Sequence, residues 1–193
     1  TLHWIRDIVE KGAKSFSSHG RRGRKGLRAF SVSGRVKKPG VHVAPAGISM
    51  RELIDEYCDG MLDGHTFNAY LPGGASGGIL PADKGDLPLD FGTLDEYDCF
   101  IGSSAVVIFS GIDDIQAICK NLLRFFEYES CGQCTPCRVG CEKMLKLIDS
   151  PNWDAKLISE LSQTMRDASI CGLGQAAPNP VMSALRFFEG SVT

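Results

Sequence analysis

Residues 131–141 read Cys131-Gly-Gln-Cys134-Thr-Pro-Cys137-Arg-Val-Gly-Cys141. Three cysteines spaced three residues apart can each bind a different iron of one iron–sulfur cube, and a distant cysteine can bind the remaining iron. Cys171 lies in Ser-Ile-Cys-Gly-Leu-Gly, residues 169–174, and is the best placed distant partner. The chain between Cys137 and Cys171 must fold back on itself if the four thiolates share one cluster, and this requirement constrains the C-terminal part of the fold.

The kind of metal and the choice of fourth ligand are separate questions. A structural zinc site usually combines two separated cysteine pairs or adds histidine, and every histidine here lies at or before position 65. We therefore favour a [4Fe–4S] cluster, with zinc and redox-active thiols as the alternatives. Cys141 completes the bacterial ferredoxin spacing, but in two-cluster ferredoxins that cysteine binds a second cluster. The chain has no second cysteine run, so we favour Cys171 as the ligand and interpret Cys141 as a buried thiol.

Composition and the remaining cysteines set limits on the function. The chain has 193 residues, a net charge of -2 and eight cysteines. Half of the cysteines lie within eleven residues, which favours a metal site over a disulfide framework, and Cys58, Cys99 and Cys119 are interpreted as core residues. No apolar stretch is long enough to cross a bilayer. We expect a cytoplasmic protein without membrane insertion and without a nucleic-acid partner.

The first 28 residues are predicted to form an N-terminal helix followed by a basic linker. Trp4, Ile5 and Ile8 give the helix a weak apolar face. Residues 19–28 carry five basic residues and three glycines, and no aromatic residue interleaves them for base stacking. A solvated linker that contacts an acidic partner is the interpretation we prefer to a phosphate- or RNA-binding patch.

Residues 29–110 are predicted to form a small α+β unit. Phe30, Val32 and Val36 alternate as a strand does, residues 38–40 (Lys-Pro-Gly) form a turn, and residues 41–43 return as a second strand. Residues 49–52 (Ser-Met-Arg-Glu) match a capping box ahead of one short amphipathic helix. Residues 67–71 and 105–109 are further strands. This order of elements is typical of a β-grasp, ubiquitin-like domain.

Residues 111–193 are predicted to form a four-helix bundle that carries the cluster. Apolar residues recur at helical spacing in four segments, spanning residues 112–126, 139–148, 153–165 and 181–188. Asp113 and Asp114 suit the N-terminus of the first helix. Arg138 and Lys143, close to the cysteines, are either groups that raise the cluster potential or solvated helix residues.

Residues 129–138 (Glu-Ser-Cys-Gly-Gln-Cys-Thr-Pro-Cys-Arg) and 169–174 closely resemble the cluster-binding segments of the flavoprotein subunit of NADH dehydrogenases. That family includes subunits of respiratory complex I, of NAD-reducing hydrogenases and of NAD-dependent molybdenum formate dehydrogenases. Residues 30–40 resemble the start of the family's soluble-ligand-binding β-grasp (SLBB) domain. Residues 70–81 (Tyr-Leu-Pro-Gly-Gly-Ala-Ser-Gly-Gly-Ile-Leu-Pro) are most similar to the formate dehydrogenase and hydrogenase branch, and we favour the formate dehydrogenase β subunit, C-terminal part only.

The resemblance implies a role in electron transfer within an NAD-dependent dehydrogenase complex. Cys131, Cys134, Cys137 and Cys171 would bind one [4Fe–4S] cluster that relays single electrons between FMN and other clusters. The FMN- and NAD-binding domain that precedes the β-grasp domain in the family has no counterpart here, and residues 1–28 resemble its remnant, so this chain alone should bind neither FMN nor NAD. Implied partners are that domain, a molybdenum- and iron–sulfur-containing α subunit and a small [2Fe–2S] γ-type subunit. The alternative function is a structural docking module whose cluster only stabilises the bundle.

Overall fold

The alternating apolar residues of the first half of the chain form a mixed β-sheet. A computed structural model describes residues 2–192, so that Thr1 and Thr193, the ends of the predicted units, lie outside the described residues. Its strands run in the order β2-β1-β5-β3-β4, with β1 and β5 parallel and the other neighbours antiparallel. The strands are β1 (Leu27–Gly34), β2 (Gly40–Pro45), β3 (Phe67–Leu71), β4 (Leu80–Pro81) and β5 (Ala105–Ser110).

The predicted first hairpin is confirmed, with small differences at its ends. Strands β1 and β2 pair antiparallel, from Leu27 opposite Pro45 to Val32 opposite Gly40. Strand β1 therefore begins two residues before the expected start of this unit at residue 29. Val36, expected in the strand, lies beyond its end and forms an isolated bridge with Met61. Strand β4 was not expected from the sequence, because two residues are too few to show an alternating pattern.

The sheet is apolar on both faces. Along β5, Val106 and Ile108 are buried in one hydrophobic cluster, whereas Val107 and Phe109 pack against a second. The first cluster includes residues of a short helix, α3 (Met50–Glu52), which continues as a π-helical turn over Leu53–Tyr57. The predicted capping box at the start of α3 is confirmed, since Ser49 and Glu52 each accept a hydrogen bond from the other's backbone N–H.

The second hydrophobic cluster is the core of a helical bundle that packs on the other face of the sheet. The helices of this half are α4 (Ile115–Glu129), α5 (Thr135–Ile148), α6 (Ala155–Ala168), α7 (Gly172–Ala176), α8 (Asn179–Phe187) and α9 (Glu189–Val192). The four predicted helices correspond to α4, α5, α6 and α8. The short α7 and α9 were not predicted, because helices of one turn carry too little apolar periodicity.

Two of the predicted helices begin later than their apolar patterns suggested. Asp114 caps α4 through its side chain, which leaves Ile112 outside the helix and 74% exposed. Asp154 caps α6 in the same way. Trp153 therefore precedes α6, where its buried ring donates Nε1–H to the carbonyl of Ile148 at the end of α5. Capping by aspartate decided these starts, because the carboxylate satisfies a backbone N–H of the first turn that the helix leaves free.

Polar contacts join the α+β unit to the bundle. The hydroxyl of Ser183 on α8 accepts the Ile79 backbone N–H at 2.8 Å, and Asn179 donates Nδ2–H to the carbonyl of Ser76 at 2.9 Å. Arg35, just after β1, pairs with Asp113 at 2.7 Å, just before α4. The glycine-rich loop between β3 and β4 is therefore held against α8 rather than exposed as a ligand-binding loop.

The N-terminal segment forms two helices, α1 (Leu2–Lys11) and α2 (Ala13–Ser17), with no buried side chain. The basic stretch that follows contacts acidic residues of the same chain. Arg21 pairs with Glu56 at 2.8 Å and Arg22 with Glu52 at 2.7 Å. A further arginine, Arg28, pairs with Asp90 at 2.6 Å. The acidic partner expected for this stretch is thus the α+β unit itself.

In residues 2–192, no helix combines the length and the apolar character that crossing a membrane requires.

Candidate iron–sulfur centre

Four of the cysteines line one cavity at the end of the bundle. The cavity has a volume of about 300 Å³, and Cys131, Cys134, Cys137 and Cys171 are all in its wall. The other residues of the wall are Glu129, Ser130, Gln133, Ile170 and Leu173. Cys131 and Cys171 are exposed, Cys134 is partly buried and Cys137 is buried. The four cysteines predicted to act together are therefore brought together by the fold.

The loop between α4 and α5 presents Cys131. Helix α4 ends at Glu129, and Gly132 takes a positive φ of 75°, a conformation that glycine adopts without steric cost. Its N–H donates to the Ser130 hydroxyl at 3.3 Å, and its carbonyl accepts a hydrogen bond from the Arg138 guanidinium. Both contacts tighten the turn, so that Cys131 is held within a closed loop at the start of α5.

The first turn of α5 presents Cys134 and Cys137. Cys134 is the N-cap residue, and Pro136 occupies one of the first helical positions, where its missing N–H costs no hydrogen bond. The pKa of Cys134 is lowered, first by a hydrogen bond from the backbone N–H of Ile170 and then by one from the N–H of Cys137. Charge-assisted bonds of this kind favour the thiolate, which is the form that binds metals.

The segment that carries Cys171 packs closely on α5. Cys171 lies between α6 and α7, and its neighbour Ile170 supplies the N–H that reaches Cys134. Gly174 on α7 is buried so tightly that a Cβ atom there would lie 2.7 Å from the Cβ of Cys137 and 2.5 Å from the Ser169 hydroxyl. The absence of a side chain at Gly174 therefore lets the two cysteine segments approach each other.

Cys141 lies outside the wall of this cavity. Its side chain is fully buried in the bundle core, and burial raises the pKa of its thiol to about 12. Burial likewise raises the pKa of Cys58 to about 11 and of Cys99 to about 12, and it raises the pKa of Cys119 still further. These four thiols are in the environment of neutral core residues.

The residues of the cavity wall fit the chemistry of an iron–sulfur cluster. Between residues 2 and 192, no three cysteine, histidine or carboxylate side chains converge closely enough to surround a single metal ion. The four thiols are instead distributed around a cavity. Thiolates are the usual ligands of a [4Fe–4S] cluster, and backbone N–H and hydroxyl groups directed at the sulfurs are its usual surroundings.

Several residues in or beside the cavity wall had no role predicted from the sequence. Ser130 and Ser169 were part of the recognised segments, but only the fold shows that their hydroxyls lie beside Cys137 and Cys134. Ile170 is 78% exposed and gives the rim of the cavity an apolar edge. Arg138 and Lys143 are both exposed, and the guanidinium of Arg138 is engaged by the loop carbonyl.

Comparison with known proteins gives one family for the helical part of the chain. Residues 117–193 match the family described as the NADH-ubiquinone oxidoreductase-F iron–sulfur binding region. The matched stretch contains all four cysteines of the cavity wall and the whole of α5 to α9.

Relatives extend the similarity over nearly the whole chain. The NADP-reducing hydrogenase subunit HndC of Solidesulfovibrio fructosivorans is 34% identical over 94% of this chain and 38% of its own length. The mitochondrial NADH-ubiquinone oxidoreductase 51 kDa subunit of Aspergillus niger is 33% identical, again over 94% of this chain and 38% of its own length. This chain therefore spans less than half the length of these relatives.

A solved structure is similar to this chain in fold. The crystal structure of an NAD+-reducing [NiFe]-hydrogenase in the H2-reduced state contains a chain that is 31% identical and superposes with a TM-score of 0.84. The superposition covers 100% of this chain and 34% of the hydrogenase chain. The mixed sheet and the helical bundle are thus similar in arrangement to part of that hydrogenase chain.

Proposed function

We propose that Cys131, Cys134, Cys137 and Cys171 hold one [4Fe–4S] cluster, because residues 117–193 match the NADH-ubiquinone oxidoreductase-F iron–sulfur binding region family. The observation that carries this proposal is the single cavity whose wall contains all four cysteines. A bound cluster would supply one-electron transfer at this end of the bundle. The chain's own groups hold the site: Ile170 N–H favours the thiolate of Cys134, and Gly174 keeps the two cysteine segments in contact.

The chain would be the electron-relay part of an NAD-dependent oxidoreductase complex. The relatives named above are subunits of a hydrogenase and of NADH-ubiquinone oxidoreductase, and they are more than twice as long as this chain. FMN and NAD would be bound outside the stretch of the relatives that this chain matches. Flavin can exchange two electrons with nicotinamide and single electrons with a cluster, which is why the two cofactors are combined. The expected partners are further iron–sulfur subunits. The cytoplasmic location expected from the sequence stays a prediction.

The exposure of two of the ligands supports a relay over the alternative docking module. A cluster that only stabilised the bundle would gain from full burial, because solvent gives an exposed cluster a route to degradation. Cys131 and Cys171 are instead at the surface. A cluster held there is accessible to a redox partner. Reduction of the cluster by NADH in the assembled complex would support the relay, whereas a cluster needed for assembly but never reduced would support the docking module.

The type of complex is a finer proposal. We favour a molybdenum-containing formate dehydrogenase, with an α subunit and a small [2Fe–2S] γ-type subunit as partners, on the resemblance of residues 70–81 alone. The relatives described above are hydrogenase and NADH-ubiquinone oxidoreductase subunits. Co-purification of the complex tests the choice: a molybdenum subunit would support formate dehydrogenase, and a nickel–iron subunit would contradict it.

We also propose the domain organisation. Residues 29–110 would form a β-grasp domain of the SLBB type, because the strand order β2-β1-β5-β3-β4 with parallel central strands and one helix on a face is the pattern expected for it. Residues 111–193 would form the cluster-binding bundle, and residues 1–28 an N-terminal helical segment and basic linker that precede the β-grasp domain. Limited proteolysis would test these boundaries. A stable fragment that ends well inside either unit, rather than near residue 110, would contradict them.

Metal analysis tests the identity of the cofactor. The full chain, purified without oxygen, should contain about four irons and about four sulfides per polypeptide. Electron paramagnetic resonance of the dithionite-reduced chain should show one paramagnetic centre. Stoichiometric zinc in place of iron would contradict the proposal.

Two matched variants test the ligand assignment. Cys171→Ser should lose or degrade the cluster, because it removes an exposed thiol from the cavity wall. Cys141→Ser is the control: the residue is a buried thiol outside that wall, so the variant should retain its iron. Iron loss from Cys141→Ser with retention in Cys171→Ser would reverse the assignment of the fourth ligand.

A further inference from the structure

Ser130, directly before Cys131, lies in contact with another of the cluster-binding cysteines. Its Oγ is 3.3 Å from the Sγ of Cys137, and it accepts the Gly132 N–H at 3.3 Å. A metal-bound thiolate has no proton to donate. The proton shared between the two side chains must then come from the serine, so Ser130 donates a hydrogen bond to Cys137 when the site is loaded.

Ser169 occupies a similar position on the other cysteine segment. Its side chain is only 5% exposed, and its Oγ has no hydrogen-bond partner within residues 2–192. The hydroxyl lies against the cysteine segments, since a Cβ atom at Gly174 would lie 2.5 Å from Ser169 Oγ and 2.7 Å from Cys137 Cβ. Cys134 is the thiol that this serine affects, because the Ser169 side chain is one of the groups that lower the pKa of Cys134. An unsatisfied buried hydroxyl destabilises the folded chain, and this penalty is removed when a charged acceptor becomes available beside it. A loaded Cys134 supplies such an acceptor.

We propose that the Ser130 and Ser169 hydroxyls donate hydrogen bonds to the bound sulfurs of Cys137 and Cys134 and thereby raise the reduction potential of the cluster. This inference rests on the proposed function, since it takes both cysteines as ligands. The reduced cluster carries one more negative charge than the oxidised cluster, so a donor to its sulfur stabilises the reduced form more. The serines shift the equilibrium between the oxidised and the reduced cluster, and they do not themselves carry electrons.

The effect of removing one donor follows from this charge difference. Ser130→Ala should shift the one-electron reduction equilibrium toward the oxidised form by about tenfold, which corresponds to about 59 mV. Ser169→Ala should shift the equilibrium in the same direction. Ser130→Thr retains a hydroxyl and should keep the wild-type potential.

The matched control is Ser162 on α6. This serine is also buried in the bundle and donates its hydroxyl to a backbone carbonyl, that of Ile158, at 2.7 Å. Ser162→Ala therefore removes a buried hydroxyl of the same kind without touching a sulfur. The reduction potential of the cluster in Ser162→Ala should equal that in the wild type even if the variant is less stable.

The test is a redox titration of the full chain, monitored by electron paramagnetic resonance, with iron content measured on each variant. A second readout is the exchangeable deuteron coupling of the reduced cluster in D2O, which should weaken in Ser130→Ala. Absence of iron from the wild-type chain would refute the proposed function itself. With iron bound in the wild type, three results would refute only the inference: unchanged potentials in both alanine variants, an equal shift in Ser162→Ala, or loss of the cluster from both alanine variants.

Discussion

Gly174 is the position at which a single methyl group should separate the two cysteine segments. A Cβ atom placed there would lie 2.5 Å from Ser169 Oγ, 2.7 Å from Cys137 Cβ and 2.8 Å from Ser169 Cβ. Real carbon–carbon contacts lie near 3.5–4.0 Å. Cys137 Cβ is attached to the backbone of α5 and cannot turn away, so Gly174→Ala must push α7 and α5 apart by about 1 Å.

The cost of this displacement is the difference between two effects. Overpacking of a well-packed core typically costs about 1–3 kcal/mol, and contacts with two backbone-fixed atoms put Gly174→Ala at the upper end of that range. Alanine is favoured over glycine in a helix by up to about 1 kcal/mol, which offsets part of the cost. The net destabilisation should be about 2 kcal/mol, which lowers the melting temperature of a chain of this size by about 4–8 °C.

Gly172, two residues earlier, is the matched control. A Cβ atom at Gly172 would have no neighbour within 4 Å, so Gly172→Ala should leave the melting temperature unchanged or slightly higher. Thermal unfolding of both variants without the cluster, followed by circular dichroism, measures the steric effect. Iron retention after reconstitution should fall in Gly174→Ala, because Cys137 is displaced. Equal melting temperatures for Gly174→Ala and the wild type would refute the reasoning about close packing, as would an equal loss in Gly172→Ala.

Three further predictions concern charge and exposure. The pKa of Asp113 is lowered to about 2, first by its hydrogen bond from Arg35, so its stabilisation is complete above about pH 4 and is lost as the pH falls toward 2. Asp113→Asn should therefore lower the unfolding free energy by about 1–2 kcal/mol at pH 7 and by little at pH 2. Melting curves at a series of pH values test this, and a difference between wild type and variant that does not change with pH would contradict the role given to Asp113. In the cluster-free chain, iodoacetamide should label the exposed Cys131 and Cys171 well before the core thiols, Cys58, Cys99 and Cys119, as peptide mass spectrometry would show. The chain should show no salt-sensitive DNA or RNA binding in a mobility-shift assay, because arginines of the basic stretch are paired within the chain; a shift that disappears with added salt would count against this.

Local features of the fold could be predicted from the sequence because they depend on a few neighbouring residues. The capping box at Ser49 and Glu52 needs only those two side chains at a spacing of three. The hairpin of β1 and β2 needs only alternation and a turn. The starts of α4 and α6 were misplaced by a few residues, because the apolar pattern continues beyond the aspartate that caps each helix.

The candidate site could be predicted in part. The spacing of Cys131, Cys134 and Cys137 indicates a metal cluster without any knowledge of the fold, since three thiols on a loop and one helical turn must point to a common side. The choice between Cys141 and Cys171 was less certain from the residues. The fold puts Cys171 in the cavity wall and Cys141 in the core.

The sequence by itself determined the local features of this protein, namely the cysteine spacing, the helix caps and the strand alternation. Each of these follows from covalent geometry and hydrogen bonding over a few residues. Only the tertiary structure decided which groups surround the cysteines. The Ile170 N–H beside Cys134 and the pairing of Arg21 with Glu56 both join segments 35 or more residues apart. Such contacts depend on how helices and strands pack, and packing arises from the whole set of buried side chains rather than from any short pattern.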